Sequence, residues 1–196
     1  MKIIDKDRYE LLSCLPRGIC AEIGVATGRL SKIIIEKNNP AELYLIDAWK
    51  NFDLGYADGN MVSEQTQEKR YQEVKKHFKD NNNITLVRSL SIPASKQFSD
   101  AFFDWVYIDA DHSYKGCLND LNAYDQKVKD NGYIIGHDYT PPAGKTKKGF
   151  GVNQAVTEFV KNKGYILSFI TNESKFASYV ISKNEVSHNK LLEAVN

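Results

Sequence analysis

The stretch AEIGVATGRL, residues 21–30, runs from an apolar segment through two glycines into a segment with helical patterning. Gly24 and Gly28 stand where the backbone must turn tightly or lie close to a ligand. A strand, a glycine turn and a helix in this order begin many α/β sheets that bind a ligand at the turn. The glycines are equally compatible with tight packing of the helix on the strand, so the turn alone does not identify a function.

Short apolar runs and helix-like segments alternate along the rest of the chain. The predicted strands are 19–24, 42–47, 83–88, 102–109 and 132–138, and the predicted helices are 28–39, 67–80, 114–130 and 152–164. Such alternation is typical of right-handed crossovers that build a parallel sheet with helices on both faces. We therefore expect a doubly wound α/β fold.

The last two apolar runs, 165–170 and 176–182, are separated only by the short link TNESK. A link of this length cannot cross over a sheet, so the two strands must form an antiparallel hairpin. The sheet is therefore predicted to be mostly parallel, with one reversed strand near an edge.

Length and composition limit the classes of protein to which the chain can belong. A length of 196 residues predicts a single domain, 1–196. The content of 42% hydrophobic and 26% charged residues is ordinary for a soluble globular chain. The net charge of +1 gives no field that would recruit nucleic acid or a membrane. Three cysteines without metal-ligand spacing, and no apolar run near the ~20 residues of a membrane span, favour a cytoplasmic protein.

The residues around the glycine turn favour one type of cofactor. A dinucleotide site has the pattern G-x-G-x-x-G, whereas this turn reads E-x-G-x-x-x-G with Glu22 at the end of the strand. A carboxylate there would repel a pyrophosphate but suits a cofactor with a cationic amino group. Asp47 ends the second predicted strand, where an acid can bind a ribose diol. Together these features favour S-adenosyl-L-methionine over a dinucleotide.

A second group of polar residues follows the fourth and fifth predicted strands. YIDADHSYKG, residues 107–116, places Asp109, Asp111 and His112 at one strand end, and His137 and Asp138 end the next. Because neighbouring parallel strands end at the same edge, we expect Asp109 and Asp138 to converge. A solvated turn is the simpler alternative, and His112 is equally compatible with a residue that bonds the backbone where a helix begins. Ser113 is the expected N-cap of that helix.

These motifs resemble the class I S-adenosylmethionine-dependent methyltransferases over about residues 19–182. YIDADHSYKGCLNDL followed by GYIIGHDY is similar to a small bacterial O-methyltransferase group that includes macrolide-sugar methyltransferases, whose site is similar to that of catechol O-methyltransferase. The resemblance implies a Rossmann-like sheet of seven strands, the last of them antiparallel. It also implies methyl transfer to a hydroxyl group.

The resemblance further implies roles for individual residues. The implied cofactor-binding residues are Glu22, Gly24, Gly28, Asp47, Ser89, Leu90 and Asp109. The implied ligands of a divalent metal, Mg²⁺ or Mn²⁺, are Asp109, His137 and Asp138, with His137 in place of the group's more common acidic or amide ligand. The implied general base is Asp111. His112 is the alternative base, because a histidine titrates nearer neutrality.

The expected acceptor is a small hydroxyl compound, such as a sugar, a phosphate-linked sugar or a natural-product precursor. Two other functions stay open. A nicotinamide-dependent oxidoreductase could use the same fold, although the missing middle glycine counts against it. The second open alternative is a protein that binds the cofactor without catalysing a reaction, since fold alone does not decide activity. A homodimer is compatible with the sequence.

Two long segments, 51–65 and 139–151, leave the predicted carboxyl ends of strands. Loops of this length are usually functional lids or disordered segments. The second contains Lys145, Lys147 and Lys148. Solvated surface is the simpler interpretation of these lysines, and reception of an anionic acceptor is the alternative.

Overall fold

A mixed eight-stranded sheet forms the frame of the molecule in a computed structural model that describes residues 2–52, 59–139, 150–173 and 176–195. Its strands are β1 (Lys2–Ile4), β2 (Ile19–Ile23), β3 (Glu42–Asp47), β4 (Ile84–Arg88), β5 (Phe103–Ile108), β6 (Val128–Tyr139), β7 (Ile166–Thr171) and β8 (Ala177–Ser182). They lie in the order β1-β7-β8-β6-β5-β2-β3-β4. Within the described residues β8 alone runs against its neighbours, β6 and β7, while every other pairing is parallel.

The predicted fold is confirmed, with one strand added. The reversed strand is the last, as expected, but β1 brings the sheet to eight strands instead of seven by pairing with β7. β1 has three residues, of which only Ile4 is buried. A segment this short shows no periodicity that a strand prediction could use.

Helices cover both faces of the sheet. They are α1 (Arg8–Ser13), α2 (Arg29–Lys37), α3 (Glu64–Phe78), α4 (Ser91–Ser95), α5 (Tyr114–Asp125), α6 (Val152–Lys163) and α7 (Glu185–Val195). One apolar core contains Ala94, Leu121 and Phe159 from α4, α5 and α6. The other contains residues of α1, α2, α3 and α7, among them Ile34 and Val74. This is the two-sided layering that the alternation predicted.

The boundary between α5 and β6 differs from the prediction. The helix expected over 114–130 ends at Asp125, because Val128 already pairs with Phe103 in the sheet. Helices α1, α4 and α7 were not predicted. For α1 a signal was present: Asp7 and Glu10 form a capping box, in which each side chain accepts a hydrogen bond from the other's backbone.

The chain reverses its direction of progress across the sheet at β2, which lies between β3 and β5. Ile23 pairs with Ile46 on one side and with Ile108 on the other, so the three carboxyl ends lie level. Gly24 N donates to Ile46 O at 2.9 Å, and Asp109 N donates to Ile23 O at 2.8 Å. Open α/β sheets bind ligands in the crevice at such a reversal.

Candidate active site

A cavity of about 450 Å³ opens at the carboxyl ends of β2, β3 and β5. This volume lies within the range of small-molecule sites. Six of the predicted site residues line it: Gly24, Asp47, Ser89, Leu90, Asp109 and Asp111. The described wall does not include Glu22, Gly28, His112, His137 or Asp138.

Asp47 fixes the shape of the glycine turn. Its Oδ2 accepts hydrogen bonds from Val25 N at 2.9 Å and Ala26 N at 2.8 Å. Its Oδ1 accepts from Trp49 N at 2.6 Å, and the indole Nε1 of Trp49 donates back to Ala26 O at 2.9 Å. A carboxylate offers about four acceptor positions, so Asp47 retains capacity for a hydroxyl of a ligand.

Gly24 allows the ends of β2 and β5 to come close together. It adopts a φ of 93°, in the left-handed region that favours glycine. A Cβ at this position would overlap the backbone carbonyl of Asp109. The glycine is therefore needed by the protein's own backbone, in addition to any contact with a ligand.

Glu22 and Gly28 lie outside the cavity wall, where each contacts a neighbouring helix. Glu22 is 1% exposed and accepts a hydrogen bond from Ser31 Oγ at 2.5 Å. Burial raises the pKa of Glu22 well above its ordinary value. Gly28, with φ 72°, precedes α2 and lies against Val74 and Phe78 of α3. The expected contact between Glu22 and a cofactor amine stays a prediction.

The acidic strand ends converge as expected. Asp109, His137 and Asp138 each present a ligand atom, and these atoms lie within 4.8 Å of one another. His112 Nε2 lies 3.0 Å from Asp109 Oδ1 and 3.2 Å from Asp138 Oδ2. His137 Nδ1 lies 3.1 Å from Asp138 Oδ2. We call these four residues, Asp109, His112, His137 and Asp138, the acid–histidine cluster.

The backbone at this cluster is strained. Asp138 is 8% exposed and has a φ of 59°, which is uncommon for any residue other than glycine. Strain of this kind persists where the surrounding structure holds it, and it is concentrated at functional sites. The position directs the Asp138 carboxylate towards His112.

Positive groups hold Asp109 ionised. Burial acts to raise the pKa of its carboxyl group. The hydrogen bond from His112 and the charge of His137 outweigh that effect and keep this pKa below its ordinary value, and Arg8 contributes in the same direction. Arg8 lies on α1, far from the cluster in sequence, and no local motif pointed to it.

The two candidate bases are placed differently. Asp111 lines the cavity, and its Oδ1 accepts a hydrogen bond from Ser113 N at 2.9 Å. His112 is turned to the carboxylates of the cluster. Ser113 is the N-cap of α5, as predicted, since its Oγ accepts from Gly116 N at 3.0 Å.

An aromatic side chain that the sequence did not single out lies beside His112. The ring centroid of Phe150 is 4.8 Å from that of His112 and 5.9 Å from that of Phe176. Gly151 N, the next residue, donates to His112 O at 2.8 Å and keeps this segment close. The three lysines 145, 147 and 148 lie outside the described residues.

The family model described as "Methyltransferase domain" matches residues 21–139, from within β2 to the end of β6. The chain belongs to this methyltransferase family. The match contains the glycine turn, Asp47 and the acid–histidine cluster, and its fold is that of the class I S-adenosylmethionine-dependent methyltransferases. No curated protein sequence matches the chain.

Solved structures of methyltransferases share the fold. An S-adenosylmethionine-dependent methyltransferase from Aquifex aeolicus is 12% identical with a TM-score of 0.59, covering 87% of this chain and 84% of its own. Fibrillarin from Aeropyrum pernix, with natively bound S-adenosyl-L-methionine, is 11% identical with a TM-score of 0.61, covering 88% and 72%. An O-methyltransferase family protein from Burkholderia thailandensis is 9% identical with a TM-score of 0.62, covering 87% and 52%. At these identities the likeness concerns the fold alone. None of the described helices of this methyltransferase is long and apolar enough to span a membrane.

Replacing Asp47 with alanine should weaken the binding of S-adenosylhomocysteine by about 1–3 kcal/mol, because a charged hydrogen-bond acceptor is lost. It should also lower the melting temperature, since Val25, Ala26 and Trp49 lose their acceptor. Calorimetric titration and thermal melts measure the two effects.

Asp104→Ala is the matched control. Asp104 Oδ2 also accepts a backbone hydrogen bond, from Ile19 N at 2.8 Å, but at the opposite end of the sheet. This variant should be destabilised while keeping the parent's affinity. A folded Asp47→Ala protein that binds S-adenosylhomocysteine as tightly as the parent would refute a role for Asp47 in the cofactor site.

Proposed function

We propose that this methyltransferase moves the methyl group of S-adenosyl-L-methionine to a hydroxyl oxygen of a small acceptor, with a divalent metal at the acid–histidine cluster. The observation that carries the proposal is the position of Asp109. Asp109 lines the cavity and its carboxylate faces His112, so one residue joins the cofactor cavity to the cluster. An acceptor bound at the cluster would lie next to a cofactor in the cavity.

In this proposal the cofactor lies in the cavity with its ribose towards Asp47 and its adenine towards Ser89 and Leu90, all of which line the cavity. Asp47 would accept a hydrogen bond from a ribose hydroxyl. The methionine part would then lie beside Gly24, which lines the cavity. S-adenosylmethionine supplies a methyl group on a positively charged sulfur, which leaves as a neutral thioether and needs no proton. The protein's chemical task is therefore to prepare the nucleophile.

The residues of the cluster fit a divalent metal. Asp109 and Asp138 supply carboxylate oxygens and His137 an imidazole nitrogen, all within 4.8 Å. Carboxylates suit Mg²⁺, while the imidazole tilts the choice towards Mn²⁺ or a later transition metal. A divalent cation held by these three residues would lower the pKa of an acceptor hydroxyl group.

Asp111 is the proposed general base, as the family resemblance implies. It borders the cavity two residues after Asp109, and its Oδ1 accepts from Ser113 N. His112 is the alternative, but its Nε2 lies 3.0 Å from Asp109 Oδ1 and 3.2 Å from Asp138 Oδ2, where an N–H donates to the carboxylates and leaves no lone pair for a further proton. His112 is therefore better suited to orienting the two carboxylates.

An acceptor at the cluster would lie near Phe150, whose ring is beside His112, and near Phe176 next to it. Aromatic rings there suit an acceptor with an apolar or planar face, which a phenol or the C–H face of a sugar both provide. A sugar follows from the family resemblance. The small acceptor and the cytoplasmic location are predictions that rest on that resemblance and on composition.

The two other functions are less well supported. The family match is to methyltransferases, which favours methyl transfer over a nicotinamide-dependent oxidoreductase. A silent cofactor-binding protein would not need a strained, buried Asp138 beside two histidines. The strain is therefore an argument for catalysis.

Chelation with EDTA should abolish methyl transfer and leave the affinity for S-adenosylhomocysteine close to that of the untreated protein. Asp109→Asn should reproduce the loss, because the amide keeps the shape of the carboxylate without the charge that attracts a cation. Elemental analysis of the protein after dialysis against Mn²⁺ measures its metal content, a readout that does not depend on turnover.

Asp104→Asn, on the same strand but distant from the cluster, should retain the metal content of the parent. Full activity after exhaustive chelation, or equal Mn²⁺ content in parent and Asp109→Asn, would remove the metal from the proposal. Methyl transfer to oxygen could then still be assayed on its own.

Asp111→Asn should lower turnover by about 10²–10⁴-fold, the usual contribution of a general base, although its amide oxygen can still accept the Ser113 N–H bond. His112→Gln should lower turnover less, because the amide N–H can still donate to the carboxylates. Formation of S-adenosylhomocysteine with a panel of phenols and sugars measures both. The reverse ranking, with His112→Gln the more damaging change, would assign the base to His112.

A further inference from the structure

A buried carboxylate forms part of the cavity wall on the side of residues 89–92. It belongs to Asp120 of α5, which is 3% exposed and lines the same cavity as Gly24 and Asp47. Gly116, one helical turn earlier, lines the cavity as well, so this face of α5 forms a wall of the site. A carboxylate seldom occupies such a position without a partner, because its burial is costly.

Asp120 is held in place by the segment that follows β4. Ser91 Oγ donates to Asp120 Oδ1 at 2.5 Å, and Tyr124 Oη donates to Ser91 O at 3.0 Å. These two bonds join the first residue of α4 to α5. Among the described residues Ser91 alone gives Asp120 a hydrogen bond, which leaves acceptor positions on the carboxylate that a ligand can use.

The electrostatics show that the protein itself does not balance this charge. Burial raises the pKa of Asp120 to about 7. The hydrogen bond from Ser91 acts to lower this pKa, and the nearby charge of Asp111 acts to raise it. A hydrogen-bond donor entering the cavity from a ligand would favour the ionised form. A donor that enters the cavity near Ser91 would therefore stabilise the carboxylate.

We infer that Asp120, positioned by Ser91, recognises the 6-amino group of the cofactor's adenine. The inference rests on the proposed function, because it takes the cofactor to occupy this cavity with its adenine beside Ser89 and Leu90. The ribose hydroxyls then face Asp47 and the methionine part faces Gly24. The 6-amino group is the donor on the edge of the base, and a carboxylate only accepts.

The sequence after β4 explains why α5 would supply this group. Arg88, Ser89 and Leu90 place no carboxylate at the end of the strand. Ser89 Oγ donates to Leu90 O at 3.1 Å. Asp120 is the carboxylate next to this wall, and it reaches the wall through Ser91.

Titration calorimetry with two ligands tests the inference on the parent protein. The ligands are S-adenosylhomocysteine and its analogue with purine in place of adenine, which lacks only the 6-amino group. The parent should prefer the adenine compound on the order of 10- to 100-fold, the effect of losing one hydrogen bond to a charged group. Equal affinities would overturn the inference without any variant.

Asp120→Ala should bring the ratio of the two affinities close to one, chiefly by weakening the adenine compound. The control, Asp100→Ala, makes the same change at an exposed residue paired with Lys127 and should keep the parent's ratio. Thermal melts establish that each variant is folded, and if Asp120→Ala is not, the comparison on the parent still decides.

An Asp120→Ala protein that retains the parent's ratio would assign the recognition elsewhere. Failure of the parent to bind S-adenosylhomocysteine at all is a different outcome, which overturns the proposed cofactor site and the inference with it.

Discussion

The hydrogen bonds from the glycine turn to the Asp47 carboxylate are the constraint on which the site depends. Asp47 lies at the end of β3. Its carboxylate accepts hydrogen bonds from the backbone N–H groups of Val25 and Ala26, which belong to the turn after β2. Gly24 in turn lies against the backbone of Asp109, at the end of β5. Three strand ends are thereby fixed relative to one another, and the cavity is the space that they enclose.

The second constraint is electrostatic. Two carboxylates lie close together at the ends of β5 and β6, that of Asp138 buried and that of Asp109 partly buried, and an unpaired buried charge is costly. His112 contacts both carboxylates, and Arg8 adds positive charge nearby. The protein thus holds a compact anionic site in a defined geometry. Such a site has the charge and the geometry to attract a cation.

Much of this could be predicted from local sequence patterns. Alternating apolar runs predicted the parallel sheet, the TNESK link predicted the reversed β8, and the ends of adjacent strands predicted the meeting of Asp109 and Asp138. Tertiary contacts were not predictable in this way. The three-residue β1 has no periodicity, and the roles of Arg8 and Asp120 arise from packing between elements distant in sequence. The direction of the Glu22 side chain, towards Ser31, was not predictable either, because a place at a strand end does not reveal which way a side chain points.

The central claim is that cofactor and metal occupy adjoining sites joined by Asp109. The most direct test is the nuclear magnetic resonance signal of S-adenosylmethionine carrying a ¹³C-labelled methyl group, bound to the protein without acceptor and titrated with paramagnetic Mn²⁺. We expect strong broadening of the methyl signal in the parent and little in Asp109→Asn at the same Mn²⁺ concentration. A methyl signal that stays sharp while the parent binds both cofactor and Mn²⁺ would show that the two sites are far apart and would contradict the account.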